Sequence, residues 1–390
     1  MFLNKMKLLK NLLALSTLSA LLAVSCTNRR PAAAPGESLP SSLPADTAAV
    51  VRPVHAQGFR VRYLADKILL EIGDPEEQET EKFRFALTER SFSGAIPSGY
   101  TRIDIPVGSA VCMTSLQLSN FLKLDIPEKV TGITSTRHLH DERMNRQLKE
   151  GHTRKIGIEG NFDNEIILAI DPDVIFISPF KRGGYEAVRN VGIPLIPHLG
   201  YKELSPLGQA EWIKVVGLLT GTAREANVLF AGIEARYDRL KALVDTVRVR
   251  PTVFSGEMRG GNWYAVGGKS FLAQLFRDAG GDYFLKDNEA SGGVTLDYET
   301  VYANASHAAY WRIVNSFDGK FGYGVLKAQD ARYTGFDAWK NRGVIYCNMK
   351  EVPFYERMPV EPETVLADFI HIFHPELLPD HVPVYYRLLK

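Results

Sequence analysis

The stretch PLGQAEWIKVVGLLTGTAREANVLFAGIEARYDRLKALVDTV, residues 206–247, decides the architecture. It has no proline after Pro206. Its apolar residues recur at spacings of three and four: Trp212, Val215, Val216 and Leu219, then Ala226, Leu229, Phe230, Ile233, Tyr237, Leu240 and Leu243. That period is helical, and Gly221-Thr222 marks a break in it. On either side, short apolar runs alternate with amphipathic segments. Upstream, Val130–Ile133, Val174–Ile177 and Pro194–Pro197 read as strands, and Thr114–Leu124 and Gly184–Val191 as helices. Downstream, Thr252–Phe254, Tyr310–Val314 and Gly343–Tyr346 read as strands, and Phe271–Ala279, Tyr298–Ala305 and Glu363–Phe373 as helices. Such alternation builds parallel sheets covered on both faces. The expected fold is α/β, two lobes with mainly parallel sheets joined by a single long helix. A chain of 390 residues suits two lobes, because single cores stop growing at roughly 250 to 300 residues. Ahead of the first lobe, Phe59–Tyr63, Ile68–Ile72 and Phe83–Leu87 alternate apolar and polar residues, which predicts a small antiparallel addition. The expected boundaries are 58–205 for the first lobe, with the addition at 58–100, 206–247 for the connecting helix and 248–390 for the second lobe.

Composition narrows the function classes. At 45% hydrophobic and 23% charged residues the chain is an ordinary globular one. Its 46 basic residues balance 45 acidic ones, so no long-range basic field exists to hold nucleic acid. The N-terminus has its own logic. Lys5, Lys7 and Lys10 precede an apolar run from Leu12 to Val24, the order of a secretory signal and too short for a bilayer span. Leu22-Ala-Val-Ser-Cys26 resembles the lipobox of bacterial lipoproteins, which implies removal of residues 1–25 and lipidation of the Cys26 thiol. The Pro, Ala and Ser content of residues 26–57 predicts a flexible tether. Only Cys112 and Cys347 then remain, in different lobes and flanked by apolar residues. They are expected as small buried hydrophobes rather than a disulfide.

Several chemistries lack their motifs. HExxH, CxxC, GxSxG and GxGxxG do not occur. Gly268-Lys-Ser270 ends like a phosphate-binding loop, but Trp263 stands where the leading glycine belongs and would block backbone approach to a phosphate. His138-Leu-His140 and His152 offer imidazoles without a cysteine or carboxylate at tight spacing, which favours a solvated loop over a metal site. No catalytic residue and no resident metal is expected.

An ordered series of stretches carries a family resemblance. The series runs through Ile103-Asp-Ile-Pro106, Val111-Cys-Met-Thr-Ser115, Val130-Thr-Gly-Ile133, Lys155-Ile-Gly-Ile158, Asn164-Glu165, Pro172-Asp-Val-Ile175, Leu218-Leu-Thr-Gly221, Arg250-Pro-Thr-Val253, Gly268-Lys-Ser270 and Ala279-Gly-Gly281. From about Thr101 to the C-terminus the chain resembles the substrate-binding lipoproteins of ABC importers for iron complexes, haem and cobalamin, the class III periplasmic binding proteins. The resemblance implies a ligand cleft between the lobes, and open α/β sheets do bind ligands beyond the carboxyl ends of their strands. On that rule Met113, Arg137, His138, Lys181 and Arg182 from the first lobe, with Met258, Arg259, Trp263, Tyr264 and Trp311 from the second, are the expected ligand-binding residues. Rings and thioethers facing cations suit a bulky anionic organic ligand, a ferric siderophore or a haem. Cobalamin is the alternative, with Phe162 the only aromatic residue just ahead of the first docking glutamate. The resemblance further implies a permease dimer as partner, with Glu165 and Glu299 each meeting one subunit. It also implies a monomer in the periplasm or cell envelope, held to a bacterial membrane by its lipid.

A different class remains open. Tetrapyrrole chelatases also have two α/β lobes, and His138, His140 and Glu159 would then handle a metal and protons. Such an enzyme needs neither a lipid anchor nor a long connecting helix, and a binder needs no general base. A receptor for free metal ions through the histidines suffers from their loose spacing.

Overall fold

The structure, a computed structural model, describes residues 46–76, 83–134, 136, 138–158, 161–178, 188–189 and 192–390. Cys26, Arg137, Glu159, Lys181, Arg182 and most of Gly184–Val191 lie outside the described residues.

Four strands, β1 (Phe59–Tyr63), β2 (Ile68–Ile72), β3 (Phe83–Glu89) and β4 (Thr101–Ile105), form the N-terminal sheet. The first three pair antiparallel, as their alternation predicts, but β4 joins β3 in parallel. The first lobe follows. Its strands β5 (Ala110–Cys112), β6 (Val130–Ile133) and β7 (Arg154–Lys155), then a small hairpin of β8 (Gly157–Ile158) and β9 (Asn161–Phe162), lead to β10 (Val174–Ile177) and β11 (Leu195–Pro197). The sheet order is β11-β10-β5-β6-β7, parallel throughout. Helix Ser115–Lys123 covers it. Thr114 and Gln117 close a capping box at its start, which fixes where the chain leaves β5.

The quoted stretch folds into three helices, Pro206–Glu211, Ile213–Thr220 and Ala223–Val244. The break falls where the sequence placed it, at Gly221, whose φ of 80° is the left-handed conformation that suits glycine. The 22-residue helix buries Ala226, Phe230, Ile233, Tyr237 and Val244, a stripe at spacings of four, three, four and seven, and packs against the C-terminal helix Pro362–Phe373.

In the second lobe, β12 (Thr252–Ser255) runs straight into an antiparallel sheet of β13 (Glu257–Arg259), β14 (Asn262–Val266) and, after β15 (Asp282–Tyr283), β16 (Gly293–Leu296). This small sheet was not expected, because its strands are only three to five residues long and do not share a clear apolar alternation. The main sheet adds β17 (Tyr310–Asn315), β18 (Val344–Asn348) and an antiparallel edge strand, β19 (Arg387–Leu388), in the order β15-β12-β17-β18-β19. The fold is two α/β lobes of mainly parallel sheets. Cys112 and Cys347 sit buried and unbridged in β5 and β18, and burial pushes the Cys347 thiol up to about 12.

The segment expected as tether reaches only partly into the described region. From Asp46 to Gly58 it is fastened to the fold. Glu211 accepts the amides of Val54, His55 and Ala56, and Glu203 those of Gln57 and Gly58. Beneath this strap lies His198, 1% exposed, 3.2 Å from the Asn120 amide and 4.8 Å from the Trp212 ring centroid. Burial lowers its pKa to about 3, below the roughly 6.5 of an unfolded chain. The unfolded state therefore binds an extra proton over that interval, and stability should fall by up to about 1.4 kcal/mol per pH unit as pH drops below about 6.5. Urea midpoints at pH 7 and pH 5 should differ less in His198→Gln than in the wild type; equal differences would assign the acid sensitivity elsewhere.

Candidate ligand cleft between the lobes

The carboxyl ends of both main sheets face each other. Beyond β5, Gln117 accepts the amides of Met113 and Thr114, and the hydroxyl of Thr134, the residue after β6, donates to the Met113 carbonyl. These bonds hold two strand ends together and start the loop 134–141 on its way to the second lobe. There His138 Nε2 lies 3.2 Å from the Ser316 hydroxyl, one residue beyond β17, and its ring centroid is 6.5 Å from that of Tyr355. His140 Nε2 lies 3.3 Å from the carbonyl of Met349, one residue beyond β18. One loop of the first lobe thus touches residues beyond the ends of two second-lobe strands.

In the second lobe, β13 ends at Arg259. Its guanidinium is mostly exposed and donates to Glu257 at 2.6 Å and 3.2 Å. Gly256, at φ 101°, makes the bend between β12 and β13, and a Cβ at that position would run into the Tyr264 carbonyl. Tyr264, half exposed, pairs in register with Glu257, so its ring and the Arg259 pair share one surface. Burial raises the pKa of Tyr355, and the charge of Arg312 offsets part of that rise.

Of the expected ligand residues, His138 lies at this junction, and Arg259 and Tyr264 are exposed on the β13–β14 surface of the second lobe. Met258 is half-buried, and its amide donates to the Tyr333 hydroxyl at 2.8 Å. Met113 is 2% exposed and belongs to the apolar face of the first-lobe sheet with Val111, Ile156 and Ile175. The two tryptophans depart from expectation. Trp263 and Trp311 are fully buried around Phe254, Tyr333 and Phe336, with their indoles donating to the carbonyls of Ser255 and Gly256. The reason is register. Trp311 is the second residue of β17, far from its carboxyl end, and Trp263 points to the inner face of β14. Sequence reasoning passed over Ser316, Tyr355 and Glu257, although the same rule of strand ends applied to β17 and β18 would have reached the first two.

A cavity of about 500 Å³ lies on the other side of loop 134–141. The first lobe contributes Lys123, His140 and Arg143 among others, and the second Glu356, Arg357 and Glu361. Lys123 and Arg357 both pair with Glu361, a charged seam across the lobe boundary. Among the described residues, no group of three His, Cys, Asp or Glu is arranged to hold a metal ion.

Comparison with known proteins fits this architecture. A family model described as periplasmic binding protein matches residues 111–350. The chain belongs to the periplasmic binding protein family. Members are substrate-binding components of ABC-type transport rather than enzymes, taking a small-molecule ligand and pairing with a permease. An uncharacterized lipoprotein of Methanocaldococcus jannaschii is 24% identical over 285 residues, 70% of this chain and 67% of its own. Among solved structures, the TroA-like periplasmic binding protein FepB of Veillonella parvula matches with a TM-score of 0.54 at 18% identity, over 73% of this chain and 95% of its own. A periplasmic haem-binding protein of Pseudomonas aeruginosa matches with a TM-score of 0.57 at 16% identity, over 73% and 98%. At these identities the structures speak for the fold. The strap and the N-terminal sheet precede the family region, and no helix among the described residues is long and apolar enough to cross a membrane.

Proposed function

We propose that this periplasmic binding protein captures an anionic iron complex, a ferric siderophore or a haem, and delivers it to the permease dimer of an ABC importer. The observation that carries the reading is the meeting of His138 with Ser316 and Tyr355 across the lobes, and the second lobe adds the exposed guanidinium of Arg259 at the end of β13. An imidazole and a phenol suit ferric iron, and a guanidinium suits carboxylates. Arg137, Lys181 and Arg182 belong to the same proposal as further cations of the first lobe. Structural neighbours named for haem, for Fe3+-hydroxamate transport and for iron binding support the ligand class, although one neighbour is named for molybdate. Cobalamin remains the alternative within the transporter class.

The test is direct titration of the purified protein with haemin, a ferric hydroxamate siderophore and cyanocobalamin. It should be followed by calorimetry or ligand absorbance, because Trp212, Trp263 and Trp311 are all buried and poor reporters. Binding of an iron complex at micromolar concentration or tighter is expected. Arg259→Ala should weaken it by about 1 to 3 kcal/mol, the range for a charge-assisted hydrogen bond. Failure of all three probes would remove the iron-complex reading. We propose also that Cys26 carries the lipid: Cys26→Ser should move the protein from the membrane to the soluble fraction, and retention in the membrane would count against lipidation.

A further inference from the structure

One cation of the second lobe is buried without a counter-ion. Strand β17 turns Trp311 and Ile313 toward one core and Tyr310 and Val314 toward the other, and Arg312 shares the face of the second pair. It is 8% exposed. Its Nε and Nη2 both donate to the Tyr386 hydroxyl, the former at 3.1 Å, and the guanidinium carbon stands 5.1 Å from the Tyr386 ring centroid. Among the described residues Arg312 forms no ion pair, and Nη1 has no acceptor. A guanidinium keeps its proton, so the charge stays in the core. The acids around it do not neutralise it. Burial raises the pKa of the Tyr355 and Tyr386 phenols and of the Cys347 thiol, and the charge of Arg312 offsets only part of that rise. Desolvating a cation without pairing it is costly, and a ligand is the partner that remains.

Register says where that ligand would come from. Arg312 lies opposite Ile345 in β18, and Tyr386 stands beside Cys347, two residues nearer the carboxyl end, because Arg387 pairs with Tyr346. Bonding to Tyr386 therefore draws the guanidinium toward the carboxyl end of β17. Continuing the alternation past Asn315 puts Ser316 on the same face, and Ser316 is the residue that meets His138. Phe354, next to Tyr355, packs edge-on against Tyr386 with centroids 6.1 Å apart, so the cation sits beneath this junction. Strands β12 and β18 cover its backbone on both sides, which leaves the exposed part to the side chain. We infer that Arg312 is the anion anchor of the cleft, the buried guanidinium that takes an anionic oxygen of the ligand: a carboxylate of haem, or a catecholate or carboxylate of a siderophore. The inference rests on the iron-complex reading for the identity of the ligand but not for the anion site itself.

A simple truncation would strand the Tyr386 hydroxyl. Arg312→Met is therefore combined with Tyr386→Phe, which removes both partners and keeps the ring stacked on Phe369. The urea midpoint of this double variant should equal or exceed that of wild type, because an unpaired buried charge is gone. Affinity is then compared within two pairs of probes, haemin against its dimethyl ester and an anionic ferric tris-catecholate against a neutral ferric trihydroxamate. Wild type should favour the anionic member of at least one pair by about tenfold or more, and the double variant by no more than about twofold. Arg312→Lys, a shorter point charge, should fall between them. Inorganic phosphate at constant ionic strength reads the site without either complex: it should raise the urea midpoint of wild type more than that of the double variant. A double variant that keeps the anionic preference, or that loses both members of a pair equally together with stability, would overturn the anchor and leave Arg312 a support for Tyr386. A wild type that favours the neutral members would overturn it as well. A wild type that binds no probe at micromolar concentration, yet is protected by phosphate through Arg312, would keep the anion site and remove the iron-complex reading. Without that protection, both fall.

Discussion

Replacing Glu211 by Ala should destabilise the protein by about 3 to 5 kcal/mol, read as a lower denaturant midpoint, and should expose the strap Asp46–Gly58 to protease. Glu211 is fully buried, and ionised burial alone costs several kcal/mol. Four donors offset that cost: the amides of Val54, His55 and Ala56 at 2.7 to 3.0 Å, and Lys214 Nζ at 2.6 Å. Lys214 is itself 6% exposed, donates to the Arg52 carbonyl at 3.1 Å and lies 4.4 Å from the Phe230 ring centroid on the long helix. Truncation removes the anion and leaves this ammonium buried, with three amides unpaired, so the penalty is larger than the net worth of any one bond. Glu211→Gln should cost less, because its carbonyl still accepts, although its amino group then opposes a donor. A midpoint within error of wild type for the Ala variant, with the strap still protected, would show that apolar packing of Val51 and Phe59 holds this segment unaided.

The strap also shows where reading the sequence stops. Residues 46–57 carry few large apolar side chains, so composition marks them as linker. What fastens them is mostly backbone N–H, which every residue has, meeting carboxylates some 150 positions away. Nothing local signals such a bond. The parallel sheets were legible for the opposite reason. β6, β10 and the helix Tyr298–Ala305 match the expected spans to the residue because burial of both sheet faces and of one helix stripe is written in local apolar period. The cleft was legible by halves. The strand-end rule reached His138, which meets Ser316 and Tyr355 across the lobes, and Arg259, whose side chain is exposed on the second lobe. Weighting by residue type misled it at Trp263 and Trp311, where large rings in the middle of strands fill a core. Glu356, whose carboxylate accepts the amides of His140 and Asp141, escaped because a lone glutamate in a short helical turn has the same sequence signature whether it faces water or backbone amides.

The largest functional effect is expected at Glu165 and Glu299, the carboxylates through which the proposed importer would dock its permease. The structure gives both the same local setting. Asp163 caps the helix Asn164–Ile170 by accepting the Ile166 amide, and Asp297 caps Tyr298–Ala305 by accepting the Thr300 amide. Glu165 and Glu299 each stand two residues after the cap, exposed, where unpaired backbone amides favour a carboxylate. Three residues on, and so on the same helix face, each carries an exposed large apolar side chain, Leu168 at 54% and Tyr302 at 39%. The second site is not bare. Arg332 comes within 4.0 Å of Glu299 but is committed to Asp330 and stacked over the Tyr298 ring, which leaves Glu299 free to turn outward. A partner cation meeting such a carboxylate forms a bidentate pair if it is arginine, and losing one partner of a desolvated pair costs about 2 to 5 kcal/mol. Glu165→Ala and Glu299→Ala should therefore each lower uptake of the bound complex in the host, and the double variant should lower it by at least about a hundredfold. Affinity for the ligand in solution should stay within about twofold, since neither residue is at the lobe boundary where His138 meets Ser316. Wild-type uptake by the double variant would refute docking through these helices, and a large loss of ligand affinity would move both residues into the binding site.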